Sequence, residues 1–265
     1  MILDQQTVDR PDLVAHVFYQ KQQALLWKIH DGYFGKLSGM VYTIEYQKRG
    51  LPHMHLLIFL AEEDKPHTVE QINGMISAQI PDQELFPALY QAVSKYMIHD
   101  CSPGHCLEHG VCKKCFPKSF NVQTILKDDG YPEYAWPNNG HTVQKGEKTY
   151  NNTHVVPHPR ELIVEFNSHI NLEVYATIKA IKYVHKYIYK KPDHATLQVQ
   201  GHNEIKAYLN SHYISAVEAA WCIFEFKMHL ENASVYCCKA QSLPGLVDAH
   251  TTPPRHPHTS FLLLQ

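Results

Sequence analysis

A chain of 265 residues with 44% hydrophobic and 11% aromatic residues carries enough apolar material for one large domain or two small ones, which excludes a disordered protein. A net charge of −2 with histidine neutral argues against a protein that grips long runs of nucleic-acid backbone, so any DNA contact has to come from a local patch. The longest apolar run, Leu56 to Ala61, is too short to cross a bilayer, and Met1-Ile2-Leu3-Asp4 lacks the basic-then-apolar start of a secretion signal; an intracellular protein without a membrane partner is expected.

In chain order, residues 12–29 have helical spacing, with Asp12 as the expected cap after Pro11 and Gly32 and Gly35 as breakers. Val41 to Tyr46 alternates and is β-rich. A turn over Lys48-Arg49-Gly50-Leu51-Pro52 leads to a second strand, His53 to Leu60, which predicts a hairpin. Two helices are expected near Val69–Gln79 and Pro87–Ile98. Residues 128–159, rich in Pro, Gly, Asn and Tyr, read as a long irregular connection with room for short strands. Leu162 to Phe166 reads as a strand, and Val174–Lys190, Ile205–Leu209 and Ile214–Met228 read as helices, with Cys222 in the core. Gln241 to Gln265 shows no pattern. No Gly-x-x-x-x-Gly-Lys-Ser/Thr loop occurs, so ATP is not an expected partner.

Three features carry chemistry. On a strand, His53 and His55 share a face and can converge on one ion, with Glu45 or Gln47 of the preceding strand offering an oxygen. Imidazole plus oxygen donors suits Mg²⁺ or Mn²⁺ better than a structural zinc. The plain alternative is two ordinary histidines at the exposed start of a strand. On the expected helix 174–190, Ile178, Ile181, Val184 and Ile188 gather on one side, and Lys179, Lys182, Lys186 and Lys190 lie roughly opposite. Tyr183 and Tyr187 stack along the edge of that lysine stripe, a surface suited to phosphate, although a lysine stripe is often only a solvated face. Tyr189 falls at the other edge, in a packing position. Finally, four of the seven cysteines fall between Cys101 and Cys115; without a secretion signal this suggests metal ligands before disulfides. Cys112-x-x-Cys115 has zinc spacing, and His99, His105 and His109 are further possible ligands.

The run Tyr42-Thr43-Ile44-Glu45-Tyr46-Gln47-Lys48-Arg49-Gly50-Leu51-Pro52-His53-Met54-His55 resembles the metal motif of the Helitron helicase-like domain, the replication-initiator or HUH nuclease of rolling-circle transposons. Ala180 to Lys190 is similar to that family's two-tyrosine helix. Shorter likenesses at Arg10–Ala15, Phe116-Pro117-Lys118, Asp129–Pro132 and Ser215–Trp221 extend the resemblance over roughly residues 9 to 235.

The resemblance implies an α+β fold, an antiparallel central sheet flanked by helices, lacking its first strand. It implies a nuclease domain over residues 1–235 with a cysteine knuckle at 99–118, followed by an unrelated or disordered tail at 236–265. His53 and His55 would hold Mg²⁺ or Mn²⁺, with Gln47 as the third ligand and Glu45 as runner-up. Tyr183 and Tyr187 would be the nucleophiles on single-stranded DNA, with Lys186 and Lys190 orienting the phosphate, in metal-dependent nicking and strand transfer. Cys101, Cys106 and Cys112 match three cysteines of a family knuckle, and a structural Zn²⁺ on these three plus Cys115 is expected; a loop of reduced thiols is the alternative.

Full proteins of this kind also carry a helicase domain, which is absent from this sequence, and the family's arginine-rich stretch is replaced at Ala135-Trp136-Pro137. These departures leave two further readings open beside a nuclear nicking enzyme: a catalytically inactive DNA-binding remnant and a non-functional transposon fragment.

Overall fold

The computed structural model describes residues 9–46, 50–101, 106–127, 131–175, 194–196, 210–212, 214–233 and 261–264. Helix α1 spans Pro11–His30, with Pro11 at its first position, where a missing N–H costs nothing. Arg10 occupies the cap position expected for Asp12. The Asp12 carboxylate instead accepts from the Arg10 guanidinium at 2.8 Å, which draws Asp12 down to about 2, chiefly through that hydrogen bond. Ala15, Gln22, Leu25, Leu26 and Ile29 form the buried face of α1.

The predicted hairpin is present and longer than the alternation indicated: β1 runs Leu37–Tyr46 and β2 runs Pro52–Leu60. Gly50 turns the chain between them at φ +75°, and a Cβ there would meet the Ser215 Cβ at 3.0 Å, so glycine is required twice over. The first predicted helix after the hairpin is α2, Val69–Met75, closed by a reciprocal Thr68–Gln71 capping box. The second is α3, Pro87–Ala92, continued by a π-helical turn over Val93–Met97.

Short hairpins follow: β3 (Leu107–Glu108) with β4 (Val111–Cys112), β5 (Ile125–Leu126) with β6 (Pro132–Glu133), and β7 (Thr142–Lys145) with β8 (Lys148–Asn151). Residues 160–166 form helix α4, Arg160–Phe166, where a strand is expected. The run is five apolar and polar residues long and fits either period. Leu162, Ile163 and Phe166 face inward at helical spacing, and Asn167 ends the helix in the left-handed conformation at φ +47°. The helix expected from Val174 is likewise corrected at its start, because Val174 and Tyr175 close strand β9, Leu172–Tyr175.

A small pair, β10 (His194–Thr196) and β11 (Asn210–His212), precedes helix α5, Ala216–Ile223, whose Ser215 hydroxyl accepts from the Glu218 N–H at 3.1 Å. Val217, Ala220 and Trp221 are its buried positions, and Trp221 packs edge-on to Phe18, Tyr19 and Phe226. Cys222, expected in the core, is exposed, because the helix turns its neighbour Trp221 inward instead. Strands β12 (His229–Ala233) and β13 (Phe261–Leu264) complete the sheet.

The fold is α+β with an antiparallel central sheet in the order β12-β1-β2-β13-β9. Strand β2 therefore has neighbours on both edges. The place beside it, where an incomplete sheet would leave an open edge, is taken by residues 261–264. Met54, Leu56, Ile58 and Leu60 belong to the main core, while His55 and Leu57 are buried on the opposite face. Burial on both faces is what makes the histidines of β2 informative.

Candidate metal centres

The register of the hairpin sets Glu45 directly opposite His53 and Thr43 opposite His55, so all four side chains share one face. The two imidazole rings lie edge to face with centroids 4.8 Å apart, and His55 Nε2 is 3.2 Å from a Glu45 carboxylate oxygen. His55 is only 3% exposed. Burial, reinforced by His55 and His169, holds His53 down to about 4 against the opposing pull of Glu45. At neutral pH His53 is therefore an uncharged imidazole with a lone pair available to a cation. Gln47, the expected third ligand, lies outside the described residues; the described oxygen donor is Glu45.

A second group lies in the cysteine knuckle. His99, Cys101, Cys106 and Cys112 place one ligand atom each within 4.8 Å of all the others. A tetrahedral zinc with bonds of about 2.3 Å to sulfur keeps its ligands ~3.7 Å apart. Cys112 Sγ and His99 Nε2 are already at 3.3 Å, so three sulfurs and one imidazole nitrogen fit that ion with little adjustment.

The local backbone explains the gathering. Cys106 and Cys112 flank the β3–β4 hairpin, whose two-residue turn puts His109 and Gly110 at φ +52° and +80°, as a primed turn demands. The Lys113 N–H returns to the Cys106 carbonyl at 2.8 Å. His99 is anchored by its own N–H to the His154 carbonyl at 2.8 Å, and its ring stacks on Phe116 at 4.4 Å.

Electrostatics mark the same cluster. Burial, with the neighbouring thiols Cys112 and Cys106, pushes Cys101 up to about 12. Burial works against ionisation of Cys112 as well, but the backbone N–H groups of Phe116 and Lys114, together with hydrogen bonds from Cys101 and Cys106, lower that thiol. A low-lying thiol among closely packed neighbours is the usual starting point for thiolate–metal binding.

Cys115, the expected fourth ligand, is exposed and stands outside the group; its backbone is left-handed at φ +55°. His109 occupies the hairpin turn, and His105 lies outside the described residues. Tyr183, Tyr187, Lys186 and Lys190, and the helix expected to carry them, also lie outside the described residues. Lys114, which the sequence reading did not single out, adds its positive charge to the surroundings of His53, His99 and His169, so the knuckle and the histidine pair share one electrostatic neighbourhood. Its position between Cys112 and Cys115 was the available signal.

Residues 2–58 match a family described as the Helitron helicase-like domain at the N-terminus, in agreement with the resemblance carried by residues 42–55. The matched segment is about a fifth of the 265 residues and includes the whole β1–β2 turn and both histidines of β2. No curated protein matches the chain.

Proposed function

We propose that this chain is the nicking and strand-transfer domain of a Helitron-type transposase, acting on single-stranded DNA. The observation that carries this reading is the pairing of His53 and His55 on a doubly buried strand, with Glu45 across the hairpin, inside the segment that matches the family. His53, His55 and an oxygen from Glu45 or Gln47 would hold Mg²⁺ or Mn²⁺, which when bound supplies Lewis-acid polarisation of a phosphodiester.

Tyr183 or Tyr187 is the nucleophile. Its phenol gives up its proton as the oxygen forms the bond to phosphorus, the bond to the 3′ oxygen breaks, and that oxygen takes up one proton and leaves as a 3′-hydroxyl, so no net proton is gained or lost. The product is a 5′-phosphotyrosine link, and a second tyrosine would let one site hold two cleaved strands. Lys186 and Lys190, with Lys114, whose charge is felt at His53, supply positive charge for the phosphate. His99, Cys101, Cys106 and Cys112 would hold a structural Zn²⁺ that ties the knuckle together and takes no part in the chemistry.

The test is covalent capture of a single-stranded oligonucleotide in the presence of Mn²⁺. A protein–DNA adduct that survives denaturing gel electrophoresis is expected from the native chain and is lost in Tyr183→Phe/Tyr187→Phe and in His55→Ala. Salt-sensitive DNA binding without any adduct would leave a binding remnant in place of an enzyme.

A further inference from the structure

The three cysteines of the knuckle cluster do not share the same surroundings. Cys106 and Cys112 are buried, whereas Cys101 is half-buried. A cavity of about 440 Å³, open to solvent, lies against the cluster, and its wall includes Cys101 and Cys112 together with Phe116, Pro117, Thr149 and Tyr150. Among the described residues, His99 and Cys106 are not part of that wall. Two of the four ligand residues therefore stand at a space that small molecules can enter.

The same two cysteines are close enough to join. Their sulfurs belong to the group of ligand atoms that all lie within 4.8 Å of one another. A disulfide has an S–S length of about 2.05 Å, so the two sulfurs have to close a gap of at most about 2.8 Å. Cys112 ends the two-residue strand β4, and Cys101 lies outside any helix or strand, so neither is locked into a long ladder. Once an ion is bound, each coordinating sulfur is a thiolate. Exposure then decides which one a soluble oxidant meets first, and that is Cys101.

We infer that Cys101 and Cys112 form an oxidation site for hydroperoxides, whose disulfide releases the metal of the knuckle. The Cys101 sulfur attacks one peroxide oxygen: the S–O bond forms, the O–O bond breaks, and hydroxide leaves a sulfenic acid behind. The Cys112 sulfur then attacks the Cys101 sulfur: the S–S bond forms, the S–O bond breaks, and a second hydroxide leaves. Each hydroxide takes a proton from solvent, so hydrogen peroxide ends as two waters and the pair of thiolates has given up two electrons. His99 and Cys106 remain as donors, too few for a closed tetrahedral site. A dithiol reductant returns the two electrons and restores both sulfurs. The inference rests on the metal reading of the knuckle proposed above and is independent of nicking.

The experiment uses the full chain loaded with Zn²⁺ and then exposed to hydrogen peroxide. A chromogenic chelator follows released Zn²⁺, and mass spectrometry of alkylated peptides maps cysteine pairing. Zn²⁺ loading that Cys106→Ser diminishes identifies the ion of the knuckle before oxidation. Peroxide is expected to release that ion in step with a Cys101–Cys112 disulfide, and dithiothreitol with fresh Zn²⁺ to restore it. Cys115→Ser and Cys222→Ser, which remove exposed thiols outside the cluster, should release Zn²⁺ at the native rate. A chain whose Zn²⁺ loading does not depend on Cys106 removes the metal reading and this inference with it. A chain that loads Zn²⁺ at the cluster but keeps it under peroxide, or loses it through a disulfide of Cys115 or Cys106, overturns the oxidation site and leaves the metal reading standing.

Discussion

His158 offers a quantitative test of the packing around the central sheet. It is fully buried, and its backbone bridges Ser77 through two hydrogen bonds of 2.8 and 2.9 Å. Its Nδ1 donates to the Val156 carbonyl at 2.9 Å, which leaves Nε2 as an acceptor without a hydrogen-bond partner. Protonation would place a charge there with nothing to receive the new N–H, and burial accordingly holds this histidine down to about 4, against the weaker help of the Val156 bond.

Because the folded value lies below the ordinary 6.5, the unfolded chain binds the proton first as pH falls. Stability is complete above about 6.5 and declines as pH drops toward 4. The full penalty is about 3.4 kcal/mol, of which ~2 kcal/mol has accrued by pH 5. Urea unfolding followed by circular dichroism at pH 7.5 and pH 5 should show this loss in the native chain. In His158→Gln, which cannot titrate, the difference between the two pH values should shrink by about 2 kcal/mol, whatever the variant costs at pH 7.5. An identical pH dependence in both proteins would refute the account of His158.

Two further outcomes follow from the metal cluster and the sheet. Cys106→Ser should abolish the thiolate absorption of the Co²⁺-loaded protein and lower its thermal midpoint, whereas Cys115→Ser should leave both unchanged; equal losses would return Cys115 to the ligand set. Leu263→Pro removes a backbone donor from a strand with neighbours on both edges, so it should cost about 2 kcal/mol or more and speed amide exchange at Leu56–Ile58. Unaltered exchange in β2 would show that β13 does not support it.

The features legible from residue order are those with a long, unambiguous period. The β1–β2 hairpin alternates over many residues around a glycine-proline turn, and α1 repeats its apolar positions through five turns, so each had one reading. Helix α4 did not, since a run as short as Leu162–Phe166 satisfies either period and only packing decides. The candidate ligands divide in the same way. Strand geometry alone puts His53 and His55 on one face with Glu45. Cys-x-x-Cys spacing is blind to the left-handed backbone at Cys115 that accompanies its place outside the cluster, so His99 takes the fourth position. Strand β13 was hidden by its surroundings, because Phe261-Leu262-Leu263-Leu264 is a short unbroken apolar run of the kind buried strands use, at the end of a Pro-, Thr- and His-rich stretch.

The insertion of β13 between β2 and β9 also dictates when the protein can finish folding. Its partners Leu56–Ile58 lie some two hundred positions earlier in the chain, so the sheet is closed by a contact of very high sequence separation. During synthesis the hairpin and α1 can assemble early, but the strand bearing His53 and His55 keeps one edge unsatisfied until residue 264 has left the ribosome. Nascent chains halted before that point would present this edge to one another, which makes the yield of soluble protein sensitive to translation speed and to chaperones that cover exposed strands.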